Sequence, residues 1–143
     1  MKQGVFVAEP STAYRLRQPL VVDCSLLAAV LFDEPERDEA LDHMAGRELF
    51  APHLLDFEIA SVALKKSRQG LAEVAACALA DYAVLSLKQE PVDLAAQVAL
   101  ALRYGLSTYD AAYLWLAAEI KAPLATLDRR LGEAAQRHLQ SLG

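Results

Sequence analysis

Four carboxylates have the surroundings expected of residues that do chemistry together. Asp23 closes the short apolar run Leu20-Val21-Val22, and Asp128 follows a second run, Pro123-Leu124-Ala125-Thr126. Glu58 has Leu54, Leu55 and Val62 at its i−4, i−3 and i+4 positions, and Asp110 shares a helical face with Leu106, Tyr113, Leu114 and Ala117. A charged carboxylate on an apolar face costs free energy unless it is paired or bound to a cation. Each residue also has a plainer explanation. An Asp after a strand forms turns or caps helices, Glu58 would serve as a rim residue that snorkels to water, and Asp110 would complement a helix start for roughly 0.3–1 kcal/mol. Gathered on one rim, however, four carboxylates repel one another and raise their own proton affinities, which calls for a divalent cation. An oxygen-only ligand set suits Mg²⁺ or Mn²⁺, and one or two such ions can activate a water and stabilise the leaving oxygen of a phosphodiester displacement.

Competing chemistries find little support. A haloacid-dehalogenase-like phosphatase expects a second Asp two residues after the first, where this chain has Ser25. The six glycines are scattered, so no loop is built to cradle phosphate. His43, His53 and His138 are isolated and read as surface or helix-face residues, and Ser25 has no identifiable base as a nucleophile. Cys24 and Cys77 lie in apolar stretches without neighbouring ligands, which suggests neither zinc nor a disulfide framework and points to a reducing cytoplasm. Tyr104, Tyr109, Tyr113 and Trp115 read as packing residues ahead of dimerisation or base stacking.

The elements that must hold the acids follow from hydrophobic period and punctuation. A strand over Leu20–Val22 leads through Asp23 into a buried helix over Ser25–Leu31. After Asp33-Glu34-Pro35-Glu36 a helix carrying Leu41 and Met44 ends at Gly46, and Glu48–Ala51 forms a second strand. Pro52 suits the first turn of the helix that carries Glu58 and closes at Lys65-Lys66-Ser67-Arg68-Gln69-Gly70. A helix over Leu71–Tyr82, a strand over Val84–Leu87 and a helix from Val92 to Tyr104, ended by Gly105, come next. Ser107 or Thr108 caps the helix that bears Asp110, and the strand Pro123–Thr126 precedes a last helix from Arg129 to about Leu139. Strands alternating with helices predict an α/β domain with a parallel sheet and right-handed crossovers, its ligand site beyond the carboxyl ends of the strands.

The 143 residues are enough for one core. Residues 1–19 read as an N-terminal arm and 20–143 as the domain. Neither a secretory signal nor a membrane span is expected. The net charge of −5 opposes broad attraction to nucleic acid, so any such contact must be local. Lys65, Lys66, Arg68, Arg129 and Arg130 are the candidates for phosphate binding, with helix-end complementation or a solvated face as the alternative.

Val21-Val22-Asp23-Cys24-Ser25, Glu58 on a helix ending in Lys65-Lys66, Ser107-Thr108-Tyr109-Asp110-Ala111-Ala112-Tyr113 and Leu124-Ala125-Thr126-Leu127-Asp128-Arg129-Arg130-Leu131 occur in that order along the chain. Together, from about Leu20 to Leu139, they resemble the PIN-domain family, and within it the VapC-type toxins of bacterial toxin–antitoxin pairs. The resemblance implies a Rossmann-like α/β/α fold with a short parallel central sheet, and Mg²⁺- or Mn²⁺-dependent endoribonuclease activity on structured RNA such as tRNA or rRNA. It further implies metal held by Asp23, Glu58, Asp110 and Asp128, Ser25 and Thr126 as small hydroxyls steadying the site, a homodimer, and a cognate antitoxin. The arm before Leu20 is longer than is usual in that family, and Cys24 stands where Ala or Thr is more frequent. Two other readings remain: a PIN-like interaction module that does not cut, and a metal phosphohydrolase acting on other phosphoesters.

Overall fold

The computed structural model describes residues 17–142. Its elements are β1 (Gln18–Val22), α1 (Cys24–Leu31), α2 (Arg37–Met44), β2 (Arg47–Pro52), α3 (Leu54–Arg68), α4 (Ala72–Val84), β3 (Leu87–Glu90), α5 (Leu94–Tyr104), α6 (Thr108–Ile120), β4 (Leu124–Ala125) and α7 (Arg129–Ser141). The strands form one parallel sheet in the order β3-β2-β1-β4, with Leu20 opposite Leu49, Val21 opposite Leu124 and Leu49 opposite Leu87. This is the α/β architecture expected from the alternation of strands and helices. Among the described residues no helix is long and apolar enough to cross a membrane.

β1 is buried on both faces, as the inner strand of a covered parallel sheet must be. Leu20 and Val22 pack with Leu26, Ala40 and Leu49, whereas Val21 joins the larger core of Leu55, Ile59, Tyr113, Leu114 and Leu131. Period-2 alternation along one strand thus feeds two cores. Side chains cap the helices that matter for the site: Asp23 accepts from the Leu26 amide, the hydroxyl of Ser107 from that of Asp110, and Asp128 from that of Leu131. Asp93 does the same for α5, which ends at Gly105 in a left-handed conformation with φ 64°.

Several boundaries differ from the sequence reading. The first strand begins at Gln18, inside the segment read as an arm; residues 1–16 of that arm lie outside the described residues. Pro52 is not a helix residue but the last, buried residue of β2, where its missing N–H is tolerated at a strand end. α4 runs on to Val84, and the third strand is Leu87–Glu90 rather than the apolar Val84–Leu87. β3 is an edge strand, so only part of it needs apolar cover. Lys88 reaches across to Glu48 at 2.8 Å and lies over the Phe50 ring, ties between strands that strand propensity alone does not reveal.

Gly105 starts the short turn that hands the chain to α6. A Cβ there would lie 3.2 Å from the Arg130 guanidinium, in a backbone conformation that side-chain-bearing residues avoid. Gly105→Ala is therefore expected to cost about 1–2 kcal/mol of stability. Urea denaturation checks this, and an unchanged midpoint contradicts it.

Candidate active site

From β1 the chain steps to β2 and on to β3, then returns to the opposite side of β1 as β4. Connections leaving the carboxyl ends of β1 and β4 therefore diverge, and a crevice opens between them. Asp23 directly follows β1; Thr126 and Asp128 follow β4.

Asp23 is 4% exposed, and its carboxylate is met by donors from both sides of the crevice. Oδ1 accepts from the Leu26 amide at 3.0 Å and from the Ser25 hydroxyl at 2.7 Å, while Oδ2 accepts from the Thr126 hydroxyl. Ser25 Oγ in turn accepts from the Leu127 amide and Thr126 Oγ1 from the Asp128 amide, each at 2.9 Å, and the two hydroxyl oxygens are 3.2 Å apart. The network staples the start of α1 to the segment between β4 and α7. With two bonds on Oδ1 and one on Oδ2, a lone pair on Oδ2 stays available to a cation.

The other acids approach from separate elements. Glu58, half-buried on α3, accepts a 2.6 Å hydrogen bond from Tyr113 on Oε1. Asp110 stands in the first turn of α6, and Asp128 caps α7 through Oδ1. Burial is the main cause that raises the pKa of Asp23, Glu58 and Asp110 above the ordinary carboxylate range. The charge of Asp128 adds to this at Asp23; Asp128 and Asp23 add to it at Asp110; Asp23 and Asp110 add to it at Glu58. Hydrogen bonds from Thr126, Leu26 and Ser25 oppose the rise at Asp23, the Tyr113 phenol opposes it at Glu58, and Ser107 and Arg130 oppose it at Asp110.

All four acids thus share one neighbourhood, yet among the described residues no three acidic, His or Cys side chains close into a preformed cage for an ion. An oxygen-only donor set of this kind matches the preference of Mg²⁺ or Mn²⁺. Cys24 adds no fifth anion: burial, then Glu58, Asp23 and Glu34, push its thiol up to about 12.

Basic and aromatic residues are placed less simply than their types suggest. Arg129 pairs with Glu133 at 3.0 Å, Lys66 pairs with Glu34 at 3.5 Å, and Arg130 donates to the Gly105 carbonyl. Tyr104 packs edge-on to His138, which is a helix-face residue on the buried side of α7. Tyr109 is not a packing residue, being 63% exposed beside Asp110, and Phe57 beside Glu58 is 75% exposed. Tyr113, read as packing ahead of dimerisation or base stacking, is buried in the core and also supplies a polar contact to a candidate site residue; its position three residues after Asp110 was the available signal.

A sequence profile described as "PIN domain" matches residues 20–136. The chain belongs to the PIN-domain family. Ribonuclease VapC3 of Pyrobaculum aerophilum is 38% identical over 122 residues, which span 80% of this chain and 92% of that protein. VapC ribonuclease Mb0985 of Mycobacterium bovis and ribonuclease VapC9 of Mycobacterium tuberculosis are each 33% identical over 120 residues, spanning 82% of this chain and 91% of theirs. The crystal structure of PAE2754 from Pyrobaculum aerophilum superposes on this PIN domain with a TM-score of 0.65 at 23% identity, covering 90% of this chain and 93% of that one, a likeness of fold.

Raised carboxylate pKa values mean that the folded, metal-free PIN domain binds more protons than the unfolded chain over the interval between ordinary and raised values. Stability contributed by these groups therefore falls as pH rises through that interval. In chelator, the melting temperature should climb as pH is lowered through the interval just above the ordinary carboxylate range. Asp110→Asn, which leaves the Ser107 cap in place, should raise the metal-free Tm by a few degrees while removing the extra stability conferred by Mn²⁺. A metal-free Tm that drops on both changes contradicts the mutual repulsion.

Proposed function

We propose that this PIN-domain protein is a divalent-metal-dependent endoribonuclease that hydrolyses phosphodiester bonds of structured RNA such as tRNA or rRNA, and that it is the toxin of a toxin–antitoxin pair. The observation that carries the reading is a buried Asp23, held by hydroxyls from both sides of the switch-point crevice, with Glu58, Asp110 and Asp128 close enough that neighbouring acids add to the burial that raises the pKa of Asp23, Glu58 and Asp110. Relatives named as ribonucleases, aligned over most of the chain, support the choice of substrate.

In this reading Asp23, Asp110 and Asp128 hold one Mg²⁺ or Mn²⁺, and Glu58 completes that site or helps to hold a second. The ion supplies an activated water and positive charge at the leaving oxygen. Ser25 and Thr126 keep the Asp23 carboxylate from turning, and Arg130 tempers the negative field at Asp110. Phe57, Tyr109 and Leu127 each directly precede one of the acids and are exposed, so unstacked bases beside the scissile phosphate have apolar surface to rest on. Such contacts suit a protein whose net charge of −5 gives it little general attraction for RNA.

The partner set is the RNA substrate, a cognate antitoxin and a second copy of the chain. Leu94, Val98 and Leu102 support assembly, since they lie exposed at four-residue spacing along one side of α5. Free cysteines at Cys24 and Cys77 fit a cytoplasmic setting.

Incubation of purified protein with total tRNA and rRNA in Mg²⁺ or Mn²⁺ tests the reading. Cleavage should require the metal, stop with chelator and fall by at least about 10²-fold in a folded Asp23→Ala variant. Cleavage of DNA or chromogenic phosphoesters in place of RNA would move the protein to another phosphohydrolase class. Metal binding without hydrolysis of any of these would favour a non-cutting interaction module.

A further inference from the structure

Asp110 and Tyr113 are three residues apart on α6, one turn of helix, and Tyr113 is the more deeply buried. Only 1% of Tyr113 is exposed, yet its hydroxyl lies 2.6 Å from Glu58 Oε1 on α3. A phenol this deep needs an acceptor, and here the acceptor is a carboxylate of the candidate site. The tyrosine ring is set by core packing among Leu55, Ile59 and Leu114, and few torsions separate it from the backbone. Glu58 is the opposite case. It is half-buried at the rim of the core on a long flexible side chain, with Asp23 and Asp110 as like-charged neighbours. Left alone, that side chain gains by swinging away from the other acids toward water. The rigid donor prevents this.

We propose that Tyr113 is the positioning residue for Glu58: its buried hydroxyl takes up Oε1, keeps the carboxylate beside Asp23 and Asp110, and leaves Oε2 as the oxygen available to a divalent cation. The inference rests on the metal-site reading above and assigns a role to a residue outside the acidic set. It gives α6 two tasks, since one helical face supplies Asp110 and restrains Glu58. It also makes the presentation of Glu58 one-sided, since Oε1 has one lone pair taken by the phenol and Oε2 is the freer oxygen.

The test is a double-mutant cycle of Tyr113→Phe and Glu58→Gln, read by calorimetric titration of the metal-free proteins with Mn²⁺ and by RNA cleavage kinetics. Tyr113→Phe keeps the ring and should melt within a few degrees of the parent. It should weaken Mn²⁺ binding about 10-fold and lower kcat about 10- to 100-fold, with KM for RNA changed less than about threefold. In the Glu58→Gln background the same substitution should change Mn²⁺ affinity and kcat by no more than about twofold. Parental Mn²⁺ affinity in the Phe variant, or equal losses in both backgrounds, overturns the proposal.

Should Tyr113→Phe fail to fold, Glu58→Asp tests the contact from the other side, because shortening the acid withdraws it from the phenol. Parental Mn²⁺ affinity in that variant overturns the assignment. A protein that binds Mn²⁺ but cuts no RNA removes the ribonuclease reading alone, and the calorimetric cycle still decides on Tyr113. A parent protein that binds no Mn²⁺ overturns both.

Discussion

The structure depends most on the burial of one carboxylate. Removing a charge such as that of Asp23 from water costs several kcal/mol, and the cost is tolerable only where hydrogen bonds replace the lost solvation. Its donors come from the first turn of α1, from Ser25, and from Thr126 on the far side of the sheet's switch point. Satisfying Asp23 therefore requires β1 and β4 to end side by side. The crevice and the polar network that closes its floor are two consequences of the same requirement.

Around that centre, capping and site formation use the same geometry. Asp23 and Asp128 each engage a helix amide through Oδ1, which restricts the carboxylate and leaves the second oxygen turned elsewhere. The plain explanation of an Asp after a strand, helix capping, is thus correct for both residues and does not compete with a role in the site. Asp110 differs, because Ser107 does the capping at α6 and its own carboxylate is not needed for that purpose. Crowding these charges works against the stability of the metal-free fold, and the structure offsets part of it with neutral donors and with Arg130, whose guanidinium also holds the Gly105 carbonyl at the end of α5.

The cationic residues that might have marked a phosphate-binding surface are largely engaged within the chain, Arg129 with Glu133, Lys66 with Glu34 and Arg130 with Gly105. The residues directly before three of the acids, Phe57, Tyr109 and Leu127, are instead apolar or aromatic and exposed. Recognition by stacking and shape rather than by a basic field is consistent with the acidic balance of the whole chain.

Much of this was legible in one dimension. Hydrophobic period, caps and glycine stops located the helices and three of the four strands, because those signals are local and repeat within a few residues. Glu58 and Asp110 stood out because an apolar helical face is an unusual place for a carboxylate, and Asp23 and Asp128 because both follow apolar strand runs and so point to the same rim of the sheet. The third strand was misplaced, since an edge strand such as Leu87–Glu90 draws its stability from β2 and from the Lys88–Glu48 pair rather than from its own residues. Pro52 was misread because a proline suits a helix start and a strand end equally well. Tertiary structure alone decided which side chains meet: Thr126 with Asp23 across 103 positions of chain, and Tyr113 with Glu58 across 55. Residue types and their periods were determined by the sequence itself, but a hydrogen bond between distant residues exists only once the sheet order and the crossovers have brought their backbones together.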